Sequence, residues 1–91
     1  MIDVKQAVQA AERYARSVYP EPELQGLRLE EVTRSDDGER WNITLGWIEP
    51  AISRNGMLYP VGLQKLPRVY KVFEINAETG EVEAMKIRDV E

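Results

Sequence analysis

The sequence predicts an α+β domain: one N-terminal helix packed on a four-stranded antiparallel sheet, in chain order α-β-β-β-β, with a long excursion between strands 2 and 3. Three observations predict it. Apolar residues recur at three- and four-residue steps from Val4 to Val18, the mark of a helix with one buried stripe. Trp41, Ile43, Leu45 and Trp47 alternate with Asn42, Thr44 and Gly46, the two-residue period of a half-buried strand. Two further runs rich in β-branched and aromatic residues flank Asn76-Ala77-Glu78-Thr79-Gly80, whose glycine can take the positive φ of a short hairpin loop.

The helix opens at Asp3, which with Gln6 has the spacing of a capping box. Its stripe is Val4, Ala7, Val8, Ala11, Tyr14, Ala15 and Val18, with Gln9, Glu12, Arg13 and Arg16 mostly on the other side. Alanine density lets such a helix lie close to what it covers. Pro20 and Pro22 stop it, and Pro20 forces Tyr19 out of the helical region.

Residues 27–33 alternate imperfectly and read as the first strand. Ser35-Asp36-Asp37-Gly38-Glu39 reads as a turn, with Asp-Gly supplying positive φ. The second strand carries both tryptophans on one face, each burying on the order of 200 Å², so that face is expected beneath the helix. Strands three and four are expected at 69–75 and 81–88. In both, the apolar parity changes partway along, with Val82 and Ala84 on one face and Met85 and Ile87 on the other. That change predicts a β-bulge or a covered outer face.

A chain of 91 residues suits one domain, able to bury roughly 60–65% of its unfolded surface without staples. It has no cysteine and no histidine. Disulfides, thiolate metal sites and cysteine nucleophiles are thereby excluded, and the commonest general base and metal ligand is missing. Asp36, Asp37 and Glu39 supply only the start of a calcium loop. Glu30-Glu31 and Glu81 with Glu83 read as solubilising strand charges rather than an acid–base pair. No phosphate-binding glycine loop is present. The residues thus predict a protein that is not an enzyme and takes no cofactor and no metal.

The net charge of −4 opposes nucleic-acid binding. Residues 40–71 are nonetheless basic, with Arg40, Arg54, Lys65, Arg68 and Lys71 against Glu49 alone. Those charges either steer an acidic partner or pair with acidic neighbours on adjacent strands. No apolar run approaches the ~18–20 residues of a membrane span. The N-terminus lacks the pattern of a secretory signal, so a cytoplasmic protein without a membrane partner is expected.

Tyr70, Val72, Phe73, Ile75 and Asn76, followed by Thr79-Gly80-Glu81-Val82, give the C-terminal hairpin a family look. It resembles the PepSY-like domains, small modules with a helix on an antiparallel sheet, and more loosely the cystatin-like arrangement. The resemblance implies one PepSY-like domain over 1–91, a binding role such as restraint of a peptidase, and no catalytic residues.

The segment 50–67 has no clear period and is too apolar for a disordered linker. Ile52, Met57, Leu58, Tyr59, Val61, Leu63 and Leu66, bordered by Arg54, Lys65 and Arg68, have the composition of an interface. It either folds over the sheet face opposite the helix, or binds another protein or a second copy of the chain. The function expected is a non-enzymatic intracellular protein-binding module, of which an inhibitor or immunity-type protein is the sharper form. The alternative is a small-ligand carrier or sensor with a pocket between helix and sheet, near Trp41, Trp47 and Tyr14.

Overall fold

The helix forms where the repeat places it. In the computed structural model, which describes residues 1–48 and 68–88, α1 spans Val4–Val18. Its capping box is complete: the Asp3 carboxylate accepts from the Gln6 amide at 2.8 Å, and the Asp3 amide donates to Gln6 Oε1 at 2.9 Å. These bonds satisfy amides that the first turn would otherwise leave unpaired. Tyr19 ends the helix in an extended conformation, as a residue before proline must. A single 3-10 turn at Glu21–Glu23 then leads to the sheet.

The sheet is fully antiparallel with spatial order β1-β2-β3-β4. Its strands are β1 (Gln25–Arg34), β2 (Arg40–Ile48), β3 (Arg68–Asn76) and β4 (Val82–Ile87). β2 and β3 pair without interruption from Arg40↔Asn76 to Ile48↔Arg68 and form the central pair. β1 is longer than its imperfect alternation predicts. Its register shifts twice, between Gln25 and Arg28 and between Leu29 and Glu31, which explains why no clean two-residue period runs through it.

The parity change foreseen in β4 is a bulge. Glu74 faces Ala84 while Ile75 faces Val82, leaving Glu83 as the extra residue. The bulge corrects the expected facing of the strand. Val82 and Met85 both pack against the core beside Ile75 and Phe73 instead of pointing to opposite sides.

Helix and sheet bury one another along a narrow seam. Ala7, Ala11 and Ala15 are fully buried, and facing them Ile43, Leu45, Phe73 and Ile75 are at 0% exposure, with Trp47 at 3%. Each large side chain among these contributes about 1.5–3 kcal/mol through removal from water. The expected stripe is wider than the observed one, since Val4 and Val18 at the helix ends and Tyr14 on its flank keep solvent contact. Tyr14 meets Phe73 edge-on at 6.1 Å between ring centroids, and Tyr19 stacks obliquely on Trp47 at 5.1 Å.

The two short loops are closed by their own side chains. In the first, only Gly38 takes positive φ (74°), whereas Asp37 does not. Asp37 instead accepts from the Ser35 hydroxyl at 2.6 Å and the Glu39 amide at 2.9 Å. In the second, the Asn76 side-chain oxygen accepts from the amides of Glu78 and Thr79, and Gly80 turns the chain at φ 80°. Ala77 is buried there, and its carbonyl receives the Ile2 amide at 2.8 Å, tying the N-terminus to the hairpin.

Candidate functional site

Of the interface residues expected from sequence, Arg68 belongs to the described part of the chain. The 50–67 excursion, with Ile52, Arg54, Met57, Leu58, Tyr59, Val61, Leu63 and Leu66, lies outside the described residues. Arg68 stands at its exit, opposite Ile48 at the end of the β2–β3 ladder. It is less a free rim charge than the centre of a polar cluster on the sheet face turned away from α1.

That cluster is built by irregularities in β1. Gly26 takes positive φ (65°), and its carbonyl accepts from Arg68 Nη2 at 3.0 Å. The register shift after Leu29 turns Glu30 across the sheet, where its Oε2 accepts from Arg68 Nη2 at 3.2 Å and from Arg28 Nε at 2.9 Å. Glu30 and Arg68 are each only 20% exposed at the side chain. Hydrogen bonding and charge from Glu30 push the Arg28 guanidinium above its ordinary value. Arg68 Nε is buried with no hydrogen-bond partner among the described residues.

Gly46 makes the crossing feasible. A Cβ on that residue would lie 2.6 Å from Glu30 Oε2 and 3.1 Å from Tyr70 Cδ1. An isolated glycine inside a strand is a known mark of close approach, so this part of the cluster had a signal in the sequence. The position of Glu30 had none, because its facing depends on a bulge.

Further along the same face lies a shallow furrow of about 390 Å³, lined by Glu31, Thr33, Asn42, Thr44, Val72, Glu74 and Arg88. Arg88 pairs with Glu31 and donates to Thr44 Oγ1 at 3.1 Å, while Lys86 pairs with Glu74 at 3.0 Å. At its far end Arg40 Nε donates to Glu83 at 2.7 Å and Asn76 Nδ2 to the same carboxylate at 2.9 Å. These bonds, from Asn76 first and then from Arg40, hold the Glu83 carboxyl below its usual value. Of the basic residues in 40–71, Arg40 and Arg68 are therefore matched by acidic neighbours on adjacent strands.

Among the described residues, the aromatic side chains named for a ligand pocket make separate contacts. Trp47 packs under Tyr19, Tyr14 on Phe73, and Trp41 lies beneath the Arg34 guanidinium at 4.6 Å. A cleft of about 280 Å³ beside α1 is lined by Ala10, Arg13, Tyr14, Ser17, Gly80 and Val82, and neither tryptophan reaches it. Among the described residues no group of three carboxylates converges as metal ligands, and no helix is long and apolar enough to cross a membrane.

Comparison of the chain with known protein families, with curated proteins and with solved structures yields no match.

Proposed function

We propose that this chain is a non-catalytic protein-binding module that acts in the cytoplasm and engages its partner through residues 50–67, with Arg68 at the base of that surface. The observation that carries the reading is the chemistry of the sheet's outer face. Arg28, Glu30 and Arg68, then Glu31 and Arg88, then Glu74 and Lys86 cover it with paired charge. The inner face of the sheet already packs against α1. Such a body offers the apolar sequence between Pro50 and Pro67 little apolar footing on the outer face beyond Tyr70 and Val72, so the greatest gain comes from burial against another protein.

The absence of cysteine and histidine from the sequence favours binding over catalysis. Small size, acidity and likeness of the C-terminal hairpin to PepSY-like domains favour an inhibitor or immunity-type role. The test is a Met57→Ser/Leu58→Ser/Tyr59→Ser variant compared with the parent in affinity capture from source lysate and in thermal unfolding. The expected result is an unchanged melting transition with loss of the captured protein. A collapsed fold, or full retention of the partner, overturns the proposal.

A further inference from the structure

We infer that the Asp37–Gly38 peptide bond is a latent modification site, able to rearrange to isoaspartate, and that Ser35 holds the rearrangement in check. The inference is independent of residues 50–67. Of the four aspartates in the chain, Asp37 is the one followed by glycine. In the reaction the Gly38 amide nitrogen attacks the carboxyl carbon of protonated Asp37. A C–N bond closes a cyclic imide, the amide proton and the carboxyl hydroxyl leave as water, and a second water then opens the ring at either carbonyl. One opening restores aspartate; the other leaves the main chain running through the side-chain carbons. Composition is unchanged, and water is the sole co-reactant. Glycine favours the attack because it places no Cβ beside the nitrogen.

Packing does not forbid that closure. Asp37 is exposed, and a Cβ built on Gly38 would meet no atom within 4 Å. The restraint is hydrogen bonding, and Ser35 holds both reacting groups. Its hydroxyl donates to Asp37 Oδ1 at 2.6 Å, while its carbonyl accepts from the Gly38 amide at 2.9 Å. Asp37 Oδ1 also accepts from the Glu39 amide at 2.9 Å, and the Arg40 amide donates to the Ser35 hydroxyl oxygen at 3.0 Å, fixing its orientation. The bonds from Ser35 first and then from Glu39 hold the Asp37 carboxyl below its ordinary value. At neutral pH the group is therefore a carboxylate, a poor electrophile, and its carbon is kept from turning onto the Gly38 nitrogen. Rearrangement would lengthen the main chain inside a turn closed by the Ser35 amide on the Arg40 carbonyl at 3.0 Å. It would also displace Glu39, whose carbonyl accepts from the Ala77 amide at 2.9 Å and joins this turn to the second hairpin.

The experiment incubates the full chain at neutral pH and maps isoaspartate by chromatography and mass spectrometry. Trypsin releases residues 35–40 as one peptide, whereas any product of Asn55–Gly56 falls in peptide 55–65. A synthetic hexapeptide of residues 35–40, incubated alongside, gives the unrestrained rate. Isoaspartate should form in the folded parent at least about tenfold more slowly than in the hexapeptide, the factor that one hydrogen bond to a charged group represents. Ser35→Ala in the chain should remove most of that gap, and Ser35→Thr, which keeps the hydroxyl, should preserve it. The alanine change in the hexapeptide should leave its rate unaltered. Ala11→Leu, which loosens the helix seat away from this turn, should react at the parent rate, separating local opening from general destabilisation. A parent as fast as the hexapeptide, a Ser35→Ala chain as slow as the parent, or an Ala11→Leu chain as fast as Ser35→Ala each overturns the inference. The first comparison needs no variant, so it decides the matter even if Ser35→Ala fails to fold.

Discussion

Replacing Gly46 by alanine tests the outer-face cluster directly. The added Cβ would stand 2.6 Å from Glu30 Oε2, 3.1 Å from Glu30 Cγ and 3.1 Å from Tyr70 Cδ1. The Glu30 oxygen is the closest of these and lies under 3.0 Å, so Glu30 is the group that must leave. Its departure removes the carboxylate shared by Arg28 and Arg68, and Arg68 is the partner with little water to turn to. Overpacking of this kind costs about 1–3 kcal/mol. Glu30→Ala alone should cost roughly 1–2 kcal/mol, since the pair is partly solvated and falls short of the full penalty for a buried orphan charge. The two effects share one cause. Once Glu30 is alanine, the closest clash is gone and only the Tyr70 ring, at 3.1 Å, has to give, so the double variant should be more stable than the sum of the singles by about 1 kcal/mol. Urea unfolding followed by tryptophan fluorescence measures all three variants. Additivity within about 0.3–0.5 kcal/mol would show that Gly46 is not there to let Glu30 cross the strand.

The alanine seam and the Glu83 carboxylate give two further predictions. Ala11→Leu should destabilise by about 1–3 kcal/mol and lower the melting temperature, because Ala11 is at 0% exposure and the helix must lift from the sheet to admit the larger side chain; an unchanged melt would refute tight seating of α1. Glu83 has a folded pKa below its unfolded value through Asn76 and Arg40, so its contribution is present above the unfolded carboxylate range near ~4.3 and is lost as pH falls through the lower folded value. Glu83→Gln should accordingly flatten the acid limb of the stability–pH curve, and an acid limb identical to that of the parent would contradict the assignment.

The helix and the strand order were legible because each rests on a local period: Val4 to Val18 repeats at helical spacing, and Trp41 to Trp47 alternates. The breadth of the helix seat was not. Periodicity treats Val18 and Ala15 alike, yet burial depends on what stands opposite, and the alanine row is fully enclosed whereas Val18 keeps solvent contact. In β4 the change of parity announced a bulge but not which residue is extra, and the choice of Glu83 carries Met85 to the core side. On the outer face, Gly46 was a visible signal, whereas Glu30 and Arg68 lie far apart in sequence and meet only through the shifted register of β1. For the interface segment, sequence offered composition without position, and Arg68 is the residue of that set placed within the cluster.

Ala7, Ala11 and Ala15 recur at identical steps and present the same small surface to the sheet at every turn. Sliding α1 by one turn would set methyl upon methyl as before, so the row holds the helix down without fixing it lengthwise. The pins are at its ends. Ile2 holds one through its amide on Ala77 and its carbonyl beneath Trp41 Nε1, and the Tyr19 ring against Trp47 holds the other. Loosening both ends should therefore let the helix creep along its track while the domain stays folded.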